Sequence, residues 1–174
     1  MLADAPPAED TRTLAQAFSE WLADSAPSDR KRDRTTVEKI FSVRGGTVTL
    51  DAARASRVIR TGLRAGKVPE LVVLLGLRKK EDLSRALNAN STSLWRWARD
   101  DSVLPSPTVE QILRAMQLQL FASDVFGGAE PARAWLGKPH PMLDGMTPSD
   151  YADNEFGAHK VRGLLAALKY GGVV

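Results

Sequence analysis

Side chains able to do chemistry fall into three groups in this 174-residue chain. His140 and His159 are its two imidazoles, and there is no cysteine. The histidines sit in separate turns without the i,i+4 spacing of a helical zinc site, so no metal centre is expected, and His140 between Pro139 and Pro141 reads as a turn residue. Asp144, Asp150, Asp153 and Glu155 gather near the end of the chain. Carboxylates serve as general acids and bases, but they are also the ordinary residues of turns and helix starts, and solvated capping is the expected role. "FGGAE", from Phe126, lacks the preceding strand of a phosphate loop. The chain is therefore not expected to be an enzyme or to hold a cofactor or metal.

The third group is the stretch "DLSRALNANSTSLWRWARDD", Asp82 to Asp101, where hydroxyls, tryptophans and arginines share one short segment. Two short helices joined by a tight bend account for it. The first runs from Glu81 to Leu87, and Asn88 takes the bend, because asparagine tolerates the left-handed conformation required there. Asn90 then caps a second helix from Ser91 to about Arg99. Leu87, Ala89, Leu94 and Trp97 follow small Ser84 at the spacing of a helix-turn-helix, which points Leu94 and Trp97 into the core. Ser91, Thr92, Ser93, Trp95, Arg96 and Arg99 remain for the outer side as candidate DNA contacts. The start of such a helix enters the major groove, where short hydroxyls approach bases or phosphates and Arg96 meets a guanine or a phosphate. Trp95 packs on a sugar or thymine methyl, or else beneath a neighbouring helix. The competing reading is a plain helical hairpin with no DNA role.

The surrounding elements must hold that pair in place. A hydrophobic content of 43% supports a real core, and the net charge of +3 is too small to demand a polyanionic partner. The charge is uneven, however. Residues 1–25 carry one basic and five acidic side chains, residues 28–67 carry eleven and four, and residues 68–174 carry twelve of each. Met1 to Asp10 is acidic and rich in Ala and Pro, which marks a disordered tail. "TLAQAFSEWLAD" puts Leu14, Ala17, Phe18, Trp21 and Leu22 on one helical face, and the Pro, Ser and charge-rich "SAPSDRKRDR" reads as a linker. After a turn at Gly45-Gly46, a helix capped by Thr49 or Asp51 is expected to run to about Ala65, stopped by Gly66. Ala52, Ala55, Ile59 and Leu63 lie on one side of it, and Arg54, Arg57, Arg60 and Arg64 on the other. The only strand signal is the weak "TVTL".

"VPELVVLLGL" begins a helix with Pro69 in its first turn and Gly76 at its end. The longest helix has Ser106 as cap, Pro107 at its first position and Gly127-Gly128 as terminator. Apolar residues surround it, as in a helix that joins two small units. Short helical pieces follow, then a last helix with Val161, Leu164, Leu165 and Leu168 at helical spacing. No apolar run approaches the ~20 residues needed to span a bilayer, and a cytoplasmic location without membrane contact is expected. The expected division is residues 1–48 as an N-terminal extension, 49–106 as the helix-turn-helix domain and 107–174 as a C-terminal domain.

In order and separation, "VIRTGLRAGKVPELVVLLGL", "LSRALNANSTSLWRW", "VFGGAEPARAWLGKPHPMLDGMTP" and "GAHKVRGLLAALKYGG" resemble the Xre/MbcA/ParS antitoxins over about residues 49–174. The most specific matches are Phe126-Gly127, Ala132 with Trp135-Leu136, Pro139, Leu143 with Gly145 and Pro148, and Tyr170-Gly171. The resemblance implies an all-α protein, an Xre-like helix-turn-helix domain followed by a small helical toxin-binding domain. It also implies a RES-domain toxin partner that consumes NAD, neutralised by covering of its active-site cleft, and autorepression through operator DNA. By position, Trp135, Leu136 and Pro139 belong to the toxin-binding module, Trp135 and Leu136 either as contacts or as part of its interior, while Tyr170, Gly171, Gly172, Val173 and Val174 form the terminal segment that approaches the toxin. Asn88 stands where the family often has glycine, and Ser149 where an aliphatic residue is common. Residues 1–48 have no counterpart, which leaves the Phe18/Trp21 helix as a dimerisation element, a cover for the DNA-binding unit or a local packing helix. A homodimer or a higher toxin–antitoxin assembly is expected. The rival is a stand-alone helix-turn-helix repressor with no toxin, which leaves the C-terminal motifs unexplained.

Overall fold

The structure is a computed structural model that describes residues 9–27, 40–44 and 47–171. Most of the expected tail, the Arg30–Arg34 run, the Gly45-Gly46 turn and the last three residues, Gly172, Val173 and Val174, lie outside the described residues.

Helix α1 spans Glu9–Ser25, beginning a turn earlier than its apolar face suggests. Phe18 and Leu22 on that face are fully buried. Trp21 is buried with them, and its indole N–H donates to the Lys67 carbonyl at 2.9 Å, which satisfies the one polar group that burial would otherwise strand. These side chains lie in the same hydrophobic cluster as Leu83, Leu87 and Leu94. The N-terminal helix is thus a packing element of the central unit.

A hairpin follows that the sequence only half disclosed. Strands β1 (Phe41–Arg44) and β2 (Thr47–Leu50) pair antiparallel, Phe41 opposite Leu50 and Val43 opposite Val48. With a period of two, Phe41, Val43, Val48 and Leu50 share one face, packed on the core, and Ser42 and Thr49 take the other. Four residues per strand are too few for the alternation to stand out. Because Thr49 is committed to β2, Asp51 alone caps the next helix, accepting from the Arg54 N–H at 2.9 Å.

Helix α2 (Ala52–Thr61) ends earlier than expected. Gly62, at φ 80°, is its stop in place of Gly66, and a Cβ there would lie 2.6 Å from Val103 Cγ1. A 3₁₀ turn over Ala65–Glu70 leads into the short α3 (Leu71–Leu74), followed by Gly76 at φ 66°. The pair α4 (Lys80–Ala86) and α5 (Ser91–Arg99) comes next. The long α6 (Ser106–Phe126) departs from expectation at its start: Pro105 occupies the cap position, and Ser106 is already helical, its hydroxyl donating to the Ile59 carbonyl at 3.3 Å. Gly127, left-handed at φ 74°, ends it as expected.

Beyond it lie α7 (Ala129–Leu136), a 3₁₀ turn at Pro141–Leu143, α8 (Pro148–Tyr151) and α9 (Glu155–Lys169), the last two capped by Thr147 and Asn154. The molecule is mainly helical, with the hairpin as its small exception. Two cores share α6. Val109, Ile112, Met116 and Leu120 face α1 to α5, whereas Leu118 and Ala122 join Ala132, Leu143, Val161 and Leu165 in a second cluster. A helix apolar on most of its circumference can serve both.

Candidate functional site

The first surface is the α4–α5 pair. Leu83, Leu87 and Leu94 are buried to within 1% and fix both helices from below. Ser84 is also buried, small enough for the close approach expected of it. Asn88 adopts φ 45°, and the Ala89 N–H donates to the Ser84 carbonyl at 2.9 Å, closing the bend. Asn90 accepts from the Ser93 N–H at 3.1 Å and so caps α5. The sequence-derived geometry of this segment is therefore reproduced within one residue at each end.

The six candidate contacts divide on inspection. Ser91, Thr92, Arg96 and Arg99 are exposed. Ser93 and Trp95 are only half-exposed, and Trp95 packs against the core while Lys80 Nζ sits 5.4 Å from its ring. Its indole lies beside α4, which weakens its claim to a nucleotide. Trp97, expected inside, is half-buried. Arg99 Nε donates to Asp100 at 3.0 Å, and that bond raises its pKa further. Arg96 keeps its guanidinium at the surface, on the same helix as the Ser91 and Thr92 hydroxyls.

A latch at the far end of α5 was not foreseen. Asp101, at φ 45°, accepts from Arg64 Nε at 2.7 Å and from the Gly66 N–H at 2.8 Å. The Arg64 bond first, then the Gly66 N–H, hold its carboxyl below the usual carboxylate range. Backbone bonds from Ala65 N–H to Ser102 and from Leu104 N–H to Leu63, at 2.9 and 2.8 Å, close the same junction. Arg64 is thus diverted from the basic face assigned to it. Arg60 bonds Ser56 Oγ at 2.7 Å and Arg54 pairs with Asp51 at 3.5 Å. The contacts of the Asp101 junction span some forty residues, and no local pattern announces them.

The second surface belongs to the C-terminal cluster. Leu136 is 5% exposed, so its side chain builds the interior instead of meeting a partner. Trp135 is half-buried, its ring 5.5 Å from Phe126 and 5.9 Å from His140. Pro139 is exposed, as are Tyr170 and Gly171. His140 Nδ1 accepts from the Met142 N–H at 3.2 Å, a turn role in keeping with its flanking prolines. Three of the four acidic residues are likewise spent on structure: Asp150 bonds Thr147, Asp153 accepts from Asn154, and Glu155 pairs with Arg114 and Arg162. Among the described residues no group of three or more His, Asp or Glu is placed to hold a metal. No helix among them is long and apolar enough to cross a membrane.

Arg133 of α7 ties the C-terminal cluster to the end of α3. Its guanidinium bonds Glu130 at 2.6 Å and reaches the Leu74 carbonyl at 3.4 Å. Gly76 lies beneath it, where a Cβ would come within 2.1 Å of Arg133 Cδ and Nε.

Compared with known proteins, residues 121–171 match the family model of the antitoxin Xre/MbcA/ParS C-terminal toxin-binding domain. The match begins inside α6 and takes in the whole second cluster except Leu118. No curated protein matches the chain.

Proposed function

We propose that this chain, a member of the Xre/MbcA/ParS antitoxin family by virtue of its toxin-binding domain, neutralises a RES-type NAD-degrading toxin and represses its own operon through the α4–α5 helix-turn-helix. The observation that carries the reading is the division of surfaces between two cores. Ser91, Thr92 and Arg96 stand exposed on elements anchored in the first, and Tyr170 and Gly171 stand exposed at the end of the second.

On the DNA side, α5 presents hydroxyls at its N-terminal turn and a guanidinium one turn later, the order in which a recognition helix meets base edges and phosphates. Two copies of the chain on paired half-sites would give the spacing such readers use. On the toxin side, Tyr170 is followed in sequence by Gly171-Gly172-Val173-Val174. Two glycines allow the chain to bend into a cleft, and two valines offer apolar surface to a cofactor pocket. Covering that cleft excludes NAD and stops its breakdown.

Co-expression with a RES-domain toxin, followed by measurement of NAD, tests the first half. NAD should be preserved only when the antitoxin is present, and continued NAD loss in a stable complex would refute active-site covering. Titration of the upstream promoter DNA with the purified chain tests the second half. Binding indistinguishable from that to unrelated duplex would remove the repressor role.

A further inference from the structure

The final helix contains two glycines, and only one of them has a reason inside the molecule. At Gly157 an added Cβ would lie 1.8 Å from the Tyr151 carbonyl oxygen, so the close passage of α8 excludes any side chain. At Gly163, in the middle of α9, an added Cβ would meet nothing within 4 Å, and the backbone shows no positive φ. A mid-helix glycine weakens a helix, so an exposed one with free space around it is unexplained by this chain's own packing.

Its neighbours on the helix supply the reason. Phe156 is 91% exposed and Tyr170 is 75% exposed. With 3.6 residues per turn they fall on the same side of α9 as Gly163, with Lys160 and Ala167 between them, about 21 Å from end to end at 1.5 Å per residue. The opposite side, Ala158, Val161, Leu164 and Leu165, is buried in the second cluster. The helix therefore offers two aromatic knobs and, between them, a notch where its backbone is bare.

We propose that this outward face of α9 is where the toxin seats, with Phe156 and Tyr170 entering apolar pockets and a toxin element lying close against Gly163. The inference rests on the antitoxin reading above and says which face of the domain does the holding. Two observations favour the toxin over other occupants. The whole face lies within the matched toxin-binding residues, and it carries the two most exposed aromatic side chains among the described residues. Aromatic side chains at the centre of protein contacts carry a large share of the binding energy, and a glycine lets backbones approach.

The full chain, with a RES-domain toxin as the probe, provides the test. Wild type, Phe156→Ala and Gly163→Leu are compared for toxin affinity, with thermal unfolding as a check on folding. Phe156→Ala should weaken binding about thirtyfold or more and Gly163→Leu about tenfold or more, with unfolding unchanged or improved. Both variants binding within about twofold of wild type would overturn the assignment. A chain that is dimeric alone, is made monomeric by Phe156→Ala and keeps full toxin affinity would overturn it in favour of a second copy. Failure of the wild-type chain itself to bind the toxin would overturn the antitoxin reading instead.

Discussion

The α4–α5 pair and the outward side of α9 are both exposed helical surfaces, yet they are built from opposite materials. The first displays Ser91, Thr92 and Arg96, polar groups whose presence on a short capped helix already hints at a polyanion. The second displays Phe156 and Tyr170, residue types that a sequence reader assigns to a core. A surface that meets DNA advertises itself through residue type, because phosphates and base edges demand donors and charges. A surface that meets a protein uses the same apolar side chains as the interior, so only the burial pattern separates the two. Leu136 and Phe156 make the point: the one singled out as a toxin contact is inside, and the one passed over is almost wholly exposed.

The sharpest way to break this comparison sets two truncations side by side. Leu94→Ala, at a fully buried position on the inner side of α5, should destabilise the fold by about 2–5 kcal/mol in denaturant titrations. Phe156→Ala, at 91% exposure, should stay within about 0.5 kcal/mol of wild type. Equal losses would mean that Phe156 is covered by this chain after all. Next in size is Arg96→Ala, which should cost about 1–3 kcal/mol in operator binding and leave toxin affinity untouched. Unchanged operator affinity across salt concentrations would strike Arg96 from the DNA surface.

A smaller effect, of the opposite sign, is expected at the notch. Gly163→Ala should raise stability by about 0.8 kcal/mol, since an alanine fits the open space and favours the helix. A loss of stability would show that Gly163 is required internally, as Gly157 is. The smallest effect concerns the Asp101 latch. Its carboxyl is held below the usual range mainly by Arg64, so the stabilisation it contributes is present above the unfolded carboxylate pKa and is lost as pH falls through the lowered folded value. The thermal midpoint of wild type should therefore fall more on acidification than that of Asp101→Asn, the two converging at the acid end. Parallel curves would show that the latch contributes nothing to the charge dependence.

Legibility in the sequence followed the range of the interactions. The bend at Asn88, the cap at Asn90 and the left-handed stop at Gly127 are all where residue type and spacing put them, because each is decided by bonds within four or five positions. The reading faltered at junctions. The helix expected to reach Ala65 stops at Gly62, which turns to φ 80° where Val103, forty positions on, leaves no room for a side chain, and Ser106 gives up its cap role while bonding Ile59. Arg64 looked like part of a basic stripe until Asp101 claimed it. Trp95, given either to the groove or to a neighbouring helix, has Lys80 and the core on one side of its ring.

By itself, then, the order of residues determined the helical character of the chain, the two-helix α4–α5 pair with its polar outer side, and the motif series that marks the C-terminal domain. Those properties depend on periodicity, caps and backbone preference, which act between near neighbours. The tertiary structure alone decided how α6 serves two cores, which apolar side chains face inward, and that one glycine of α9 is needed by Tyr151 while the other faces open space. Burial is a property of what arrives from elsewhere in the chain, and no stretch of α9 read in isolation contains the carbonyl that excludes a side chain at Gly157.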